Sequence, residues 1–236
     1  MLTIALVGAD GAGKSTIARQ VLRLLPPPAR YMYMGVNLEA SRVMLPTTRL
    51  LLELKRMSGG RPDMSAPVEN DVAPSNGGYR VFRSIRTDLR YANLIAEEWF
   101  RQFVAWYYVR RGEIVIFDRH FVWDYHSSFS NPHNTAGSWM RRWHDQFLRR
   151  LYPRPDLVIC LDAPAEVLFR RKGEGTLKDR ERRRAEYLRL GAVTTNFVVV
   201  DVDRPSELVV REVANVILRA CAGSLTPANR SDAGKS

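Results

Sequence analysis

Apolar residues occur along this chain in two kinds of run: short unbroken blocks, and longer stretches in which they return every three or four positions. The blocks are Leu2 to Val7, Glu113 to Asp118, Asp156 to Asp162, and Phe197 to Val200 ending at Asp201. Blocks of that length predict strands buried on both faces of a parallel sheet. Tyrosine-rich Arg30 to Met34 predicts one more strand. Helical spacing begins at Ser15 and runs to Leu25, with Ile17, Ala18, Val21, Leu22 and Leu25 on one face, and Pro26-Pro27-Pro28 stops it. Leu50, Leu51, Leu52 and Leu54 after Leu45-Pro46 predict a second helix. From Val81 to Arg111 the period persists for about thirty residues, through Ile85, Leu89, Ala92, Ala96, Trp99, Phe103 and Trp106. These side chains read as a core-facing stripe rather than a ligand stack. Ser138 to Leu151 repeats the pattern with Trp139, Trp143 and Phe147, and further helices follow from about Ala165 and over Ser206 to Ala222.

Strands alternating with helices predict an α/β fold of three layers, a parallel sheet with helices on both faces. In such sheets ligands bind at the carboxyl ends of the strands, where Asp118, Asp162 and Asp201 all fall. The expected organisation is a single domain over residues 1–222 with a frayed tail over 223–236. Residues 58–78 are rich in Gly, Pro, Ser, Asn and Asp and lack an apolar period, so they read as a mobile surface loop.

The formal charge of +11 suits nucleic acid, an anionic membrane surface or acidic small molecules, and its distribution narrows the choice. Arg170 to Arg184 holds eight basic residues against three acidic ones, a density that repels itself unless anions visit. Cys160 and Cys221 stand far apart without a CxxC partner and read as buried thiols in a reducing compartment. There is no zinc-type cluster. The apolar start is six residues long, too short for a signal peptide or a membrane span, so a cytoplasmic location is expected.

The chemistry concentrates in Gly8-Ala9-Asp10-Gly11-Ala12-Gly13-Lys14-Ser15, followed by Thr16, a G-x-x-x-x-G-K-[ST] string between a strand and a helix. Glycines there let backbone N–H groups turn toward a phosphate, the helix N-terminus adds its dipole, and Lys and Ser supply a cation and a Mg²⁺ ligand. Gly8 to Thr16 is therefore the expected nucleotide cradle, with Lys14 as the clamp. Asp10 is awkward beside phosphates unless it faces a hydroxyl or a cation; the alternative is a solvated turn aspartate. Asp118-Arg119 sets a carboxylate for metal or base work next to a guanidinium suited to an anionic oxygen; the alternative is a helix-capping ion pair.

The run Gly8 to Thr16, Asp118-Arg119-His120 after an apolar strand, and Pro155-Asp156-Leu157 leading to Leu161-Asp162-Ala163-Pro164 with Glu166-Val167 together resemble thymidylate kinases and related P-loop nucleoside-monophosphate kinases. Arg170 to Glu174, Tyr187-Leu188 and Phe197 to Asp201 fit the same pattern. The resemblance implies the P-loop kinase fold, MgATP as phosphoryl donor, Ser15 and Asp118 at the Mg²⁺, Asp10 facing an acceptor sugar hydroxyl and Arg119 on the acceptor phosphate. It also implies a lid over about 170–189 whose arginines, Arg170 and Arg180 among them, close over the phosphates. The acceptor side departs from the family. Its Arg-Glu-Pro-Gly stretch is replaced by Met34-Gly35-Val36-Asn37, and the position of its arginine on the long helix falls at or near Glu97, with Arg90 and Arg101 one to two turns away. Arg42, Arg49, Trp123, Tyr125 and His126 are candidates for a different acceptor pocket.

The expected activity is thus transfer of the ATP γ-phosphate to a small-molecule acceptor, a nucleoside monophosphate first. A nucleoside, sugar or other small hydroxyl compound is the alternative acceptor. An ATP-dependent nucleic-acid-binding protein is the alternative from another class, and nucleic acid is the less favoured partner. No Asn-Lys-x-Asp string supports guanine recognition. No membrane partner is expected, and homodimerisation stays open.

Overall fold

The computed structural model describes residues 2–35, 41, 43–57, 77–120, 146, 152–173, 175–192 and 194–223. Five strands, β1 (Thr3–Val7), β2 (Ala29–Tyr33), β3 (Ile114–Asp118), β4 (Leu157–Asp162) and β5 (Phe197–Asp201), form one parallel sheet in the order β2-β3-β1-β4-β5. Three of the four unbroken apolar blocks become the inner strands β1, β3 and β4, whereas the block at Phe197 becomes the edge strand β5 and is only partly buried, with Val199 exposed, contrary to the expectation of burial on both faces. Along β1, Ile4 lies opposite Ile116 and Leu157, and Leu6 opposite Asp118 and Ile159, so each register row points to one face. Ile4, Leu6, Ile116 and Ile159 pack with Ile17, Val21, Val213 and Ile217 of two helices, α1 (Lys14–Val21) and α6 (Ser206–Cys221). Ala5, Val7, Val115, Phe117 and Cys160 pack on the opposite face with Ala105 of α3 (Gly77–Arg110) and Tyr187 of α5 (Leu177–Ala192). This is the expected three-layer α/β architecture.

Helix α2 (Pro46–Met57) opens on a proline, which lacks the N–H that a first helical turn leaves unused. Helix α1 ends at Val21, one turn before its apolar pattern does, and Leu24 N–H to Val21 O turns the chain ahead of the prolines. The basic stretch is a helix pair. Helix α4 (Ala165–Lys172) stops at Gly173, which takes φ +69° and donates to Phe169 O at 2.8 Å. Helix α5 starts behind Thr176, whose Oγ1 accepts from Asp179 N–H at 3.1 Å.

Three further expectations need correction. Helix α3 begins at Gly77 rather than Val81, so Gly77 and Gly78 are helical and not loop. Much of its apolar stripe does not face the core: Leu89, Ala92, Ala96 and Phe103 are exposed, Trp99 alone of the stripe's described side chains packs on the core cluster, and the buried residues among the described side chains are Glu97, Glu98, Arg101, Gln102 and Ala105. The reason is that the inner face must answer polar main-chain groups. Arg101 Nη1 donates to Gly35 O at 2.9 Å, and Glu97 Oε1 accepts from Leu45 N–H at 2.9 Å. Apolar side chains there would leave those groups buried and unsatisfied. Exposed Phe103 stacks on its helical neighbours, on Trp99 at 6.0 Å and on Trp106 at 5.3 Å, and Trp99 in turn meets buried Tyr152 at 5.7 Å. Third, Cys160 is buried as expected but Cys221 is exposed, because the last residue of α6 lies beyond the core contacts of Val213 and Ile217.

Residues 58–76, the helix expected over Ser138 to Leu151 apart from Gln146, and the tail from 224 lie outside the described residues. Among the described residues no helix is long and apolar enough to cross a membrane.

Candidate functional site

The glycine loop leaves β1 at Val7 and enters α1 at Lys14, and two of its glycines are imposed by neighbouring main chain. Gly8 takes φ +140° and a Cβ there would lie 2.4 Å from Leu161 O. Gly11 takes φ +97° and its Cβ would lie 2.4 Å from Leu168 O. The loop is therefore wedged between the end of β4 and α4, in conformations that side chains disfavour. Gly13, also left-handed at φ +79°, precedes α1, so the free N–H groups of that helix's first turn open beside the loop. Ser15 and Thr16 are exposed in that turn, whereas Ala12 is buried. Lys14 is 5% exposed and donates to Gly8 O at 2.8 Å and Ala9 O at 3.0 Å.

Asp10 is the focus of the charges. Arg119 Nη2 donates to Asp10 Oδ1 at 2.7 Å, and Lys14 Nζ stands 3.8 Å from the same oxygen. From the helix pair, Lys172 Nζ at 3.4 Å, Arg180 Nη1 at 3.6 Å and Arg183 Nη1 at 3.6 Å approach Oδ2. Burial alone would push the Asp10 carboxyl up, but Arg119 and Lys14, with Lys172 behind them, outweigh it and hold the group well below the usual carboxylate range. Five cations facing one carboxylate leave four positive charges uncompensated by it. The expectation that Asp10 must face a cation or hydroxyl is met by cations.

At the tip of β3, Asp118 is fully buried. Its Oδ2 accepts from Tyr31 Oη–H at 2.7 Å, and its Oδ1 has no hydrogen-bond partner among the described residues. Burial, reinforced by the bond to Asp118, raises the Tyr31 phenol above its ordinary range, so it stays a donor. Arg119 follows with φ +71°, an uncommon conformation for a side-chain-bearing residue, and its N–H reaches Leu6 O at 3.1 Å. That bond carries the ladder one residue past β3 and aims the side chain across β1 toward the glycine loop. The other strand-end acids are committed elsewhere. Asp162 takes a bidentate pair from Arg184 at 2.7 and 2.8 Å, and Asp201 accepts from Asp203 N–H at 2.8 Å in a turn. Cys160, beneath Asp162, has its thiol pushed up to about 12 by burial and then by that carboxylate, which removes it as a nucleophile.

Of the site residues expected from sequence, Gly8 to Thr16, Asp118, Arg119 and Arg180 lie at or beside the glycine loop. Arg170 is exposed on α4 and takes no part in the Asp10 group, whereas Lys172 and Arg183, not singled out from sequence, do. Their signal was the basic run, but only the break at Gly173 decides which of its members turn inward. On the acceptor side Arg101 is 0% exposed, and its Nε lies 3.7 Å from Glu97 Oε2. Their spacing of four residues on one helix was the legible sign of that pair. Arg49 is exposed on α2; Arg42, Trp123, Tyr125 and His126 lie outside the described residues.

A parallel sheet in the order β2-β3-β1-β4-β5, with the G-x-x-x-x-G-K-S loop leaving its central strand, makes this a three-layer α/β fold built around a P-loop. No family model matches the chain, and no curated protein matches it. Among solved structures it is similar to a deoxyadenosine kinase from M. mycoides with bound dCTP, at 16% identity and a TM-score of 0.48, over 92% of this chain and 99% of that one. The same kinase with the products dCMP and dCDP bound gives 16% identity and a TM-score of 0.49, over 93% and 100% of the two chains.

Proposed function

We propose that this protein is a phosphotransferase that moves the γ-phosphate of ATP to a small acceptor, a nucleoside monophosphate first among them. The observation that carries the reading is the convergence of Lys14, Arg119, Lys172, Arg180 and Arg183 on Asp10 beside the glycine loop. A phosphate monoester carries roughly two negative charges at pH 7, so donor and acceptor phosphates together suit a site with cations in excess. Transfer of this kind asks little covalent chemistry of the protein and much positioning and charge stabilisation. In this reading the loop N–H groups and Lys14 hold the donor phosphates, while Arg180, Lys172 and Arg183 close over them, with Arg170 at the edge. Arg119 reaches the acceptor's anionic oxygen. Asp10 exchanges cations for the acceptor hydroxyl as phosphates arrive.

The residues present fit a Mg²⁺ ion. Ser15 offers an exposed hydroxyl in the first turn of α1, and Asp118 Oδ1 is a buried carboxylate oxygen without a donor among the described residues. An ion there would be held mainly by phosphates and water, with one or two protein oxygens. When bound, Mg²⁺ supplies charge neutralisation on the phosphates.

The buried Glu97–Arg101 pair supports a second acceptor class. It cancels its own charge where a phosphate-bearing acceptor would be served by a free cation, which favours a neutral hydroxyl compound such as a nucleoside or sugar. The two unbridged cysteines support work in a reducing compartment such as the cytoplasm, and the exposed stripe on α3 supports self-association of two copies. The deciding experiment follows ATP consumption over a panel of nucleoside monophosphates, nucleosides and phosphosugars. Consumption should depend on one acceptor class and fall by about 100-fold or more in Lys14→Ala, which should keep its fold. ATP turnover that ignores every acceptor, or survives the substitution, defeats the proposal; stimulation by polynucleotide that fades steeply with salt would replace it.

A further inference from the structure

Gly35 differs from the glycines of the loop. Its φ lies outside the left-handed region, so the backbone does not require glycine there. Space does. A Cβ on Gly35 would fall 2.4 Å from Tyr33 Oη, 2.6 Å from Tyr33 Cζ and 2.6 Å from Arg119 Cδ. Ordinary van der Waals contact begins at 3.4 Å, so the Arg119 stem runs directly over a backbone with no side chain. The same glycine is fixed from below. Arg101, fully buried, donates to Gly35 O at 2.9 Å and to Tyr33 O at 3.4 Å, and Glu97 Oε2 lies 3.7 Å from Arg101 Nε.

We infer that Gly35 is a positioning residue for Arg119, and that Arg101 holds Gly35 in place from α3. Arg119 owes its reach to Asp10 to two constraints. Its main chain is set by the bond to Leu6 O, and the path of its side chain is set by the bare Cα of Gly35. Gly35, in the place where the sequence departs from the pattern it resembles, thus contributes an open track for the site arginine instead of a charged group of its own. The role of Arg119 toward an acceptor rests on the proposed function; the packing relation between the two residues does not.

Because the colliding atoms belong to side chains, Gly35→Ala is expected to fold and to push Arg119 aside. Misplacement of a site group by about 1 Å costs up to on the order of 100-fold. The test compares Gly35→Ala, Arg119→Ala and the double variant in the full chain by three measurements. In ¹⁵N NMR spectra the Arg119 side-chain resonances should move in Gly35→Ala, as they should also when Asp10→Ala removes the accepting carboxylate. The acceptor KM should rise about 10-fold or more in Gly35→Ala while the KM for ATP stays within about twofold, and the double variant should be no worse than Arg119→Ala alone. Any melting temperature lost in Gly35→Ala should be partly regained in the double variant, since one of the two colliding side chains is gone and only Tyr33 remains in contact with the new methyl group. An unmoved Arg119 resonance, multiplying kinetic effects, or a double variant less stable than either single one would overturn the inference. A wild-type protein that phosphorylates no acceptor defeats the proposed function alone, because resonance and stability still decide this one.

Discussion

The glycine loop and the long helix α3 meet at the same site from opposite principles. The loop acts through main chain: its glycines occupy left-handed conformations and press against Leu161 O and Leu168 O. Helix α3 acts through side chains, turning Glu97, Glu98, Arg101 and Gln102 inward and leaving Leu89 and Phe103 in solvent. A loop of the first kind is specified by eight consecutive residues. A helix face of the second kind is specified by what it meets, here the carbonyls beyond β2 and the Leu45 amide. The first tolerates almost no substitution at its glycines, and the second can be exchanged for another self-consistent set.

Gly11→Ala should break the main-chain side of the comparison and give the largest effect. Positive φ and a 2.4 Å approach to backbone cannot both be relieved, so stability should fall by about 2 kcal/mol or more, and ATP binding should be lost in whatever still folds. Thermal unfolding and isothermal titration check this; a stable variant that binds ATP would mean the loop can widen. On the helix side, Arg101→Met alone should cost about 3 kcal/mol because it strands the buried Glu97 carboxylate. Adding Glu97→Leu should recover much of that loss if the pair is exchangeable. Denaturant unfolding of the two variants decides, and no recovery would show that Leu45 N–H and Gly35 O need these partners individually.

The smallest effect tests the seam between the regions. His120, fully buried between Phe117 and Tyr152, has its pKa lowered to about 3 by burial. A depressed group is neutral in the folded state while the unfolded chain takes up the proton. Stability from this source is therefore complete above about pH 6.5 and drains away as the pH falls toward 3. Between pH 7.5 and 5.5 the loss should be about 1.4 kcal/mol, and His120→Phe should flatten it. An unchanged slope would mean that His120 is reached by water.

Much of the frame was legible in advance because contiguous pattern encodes it. The apolar blocks mark strands, three inner and one at the edge, the G-x-x-x-x-G-K-S string marks the loop, and Arg119 stands where an apolar strand ends. The stripe on α3 misled because periodicity reports that a helix has two faces, and burial depends on which face finds partners. The basic run likewise announced an anion site without saying that Lys172, Arg180 and Arg183 would converge on Asp10 while Arg170 stayed outside.

By itself, then, the sequence determined the alternating α/β order, the parallel sheet and the phosphate loop, since each depends on residues adjacent in the chain or on a simple period. Only the tertiary structure decided which charges share a site, which face of α3 is inside, and why residue 35 has no side chain. Those outcomes depend on distances between segments that can lie more than a hundred residues apart in the chain, as Asp10 and Arg119 do, where desolvation and steric contact act on pairs that no local pattern brings together.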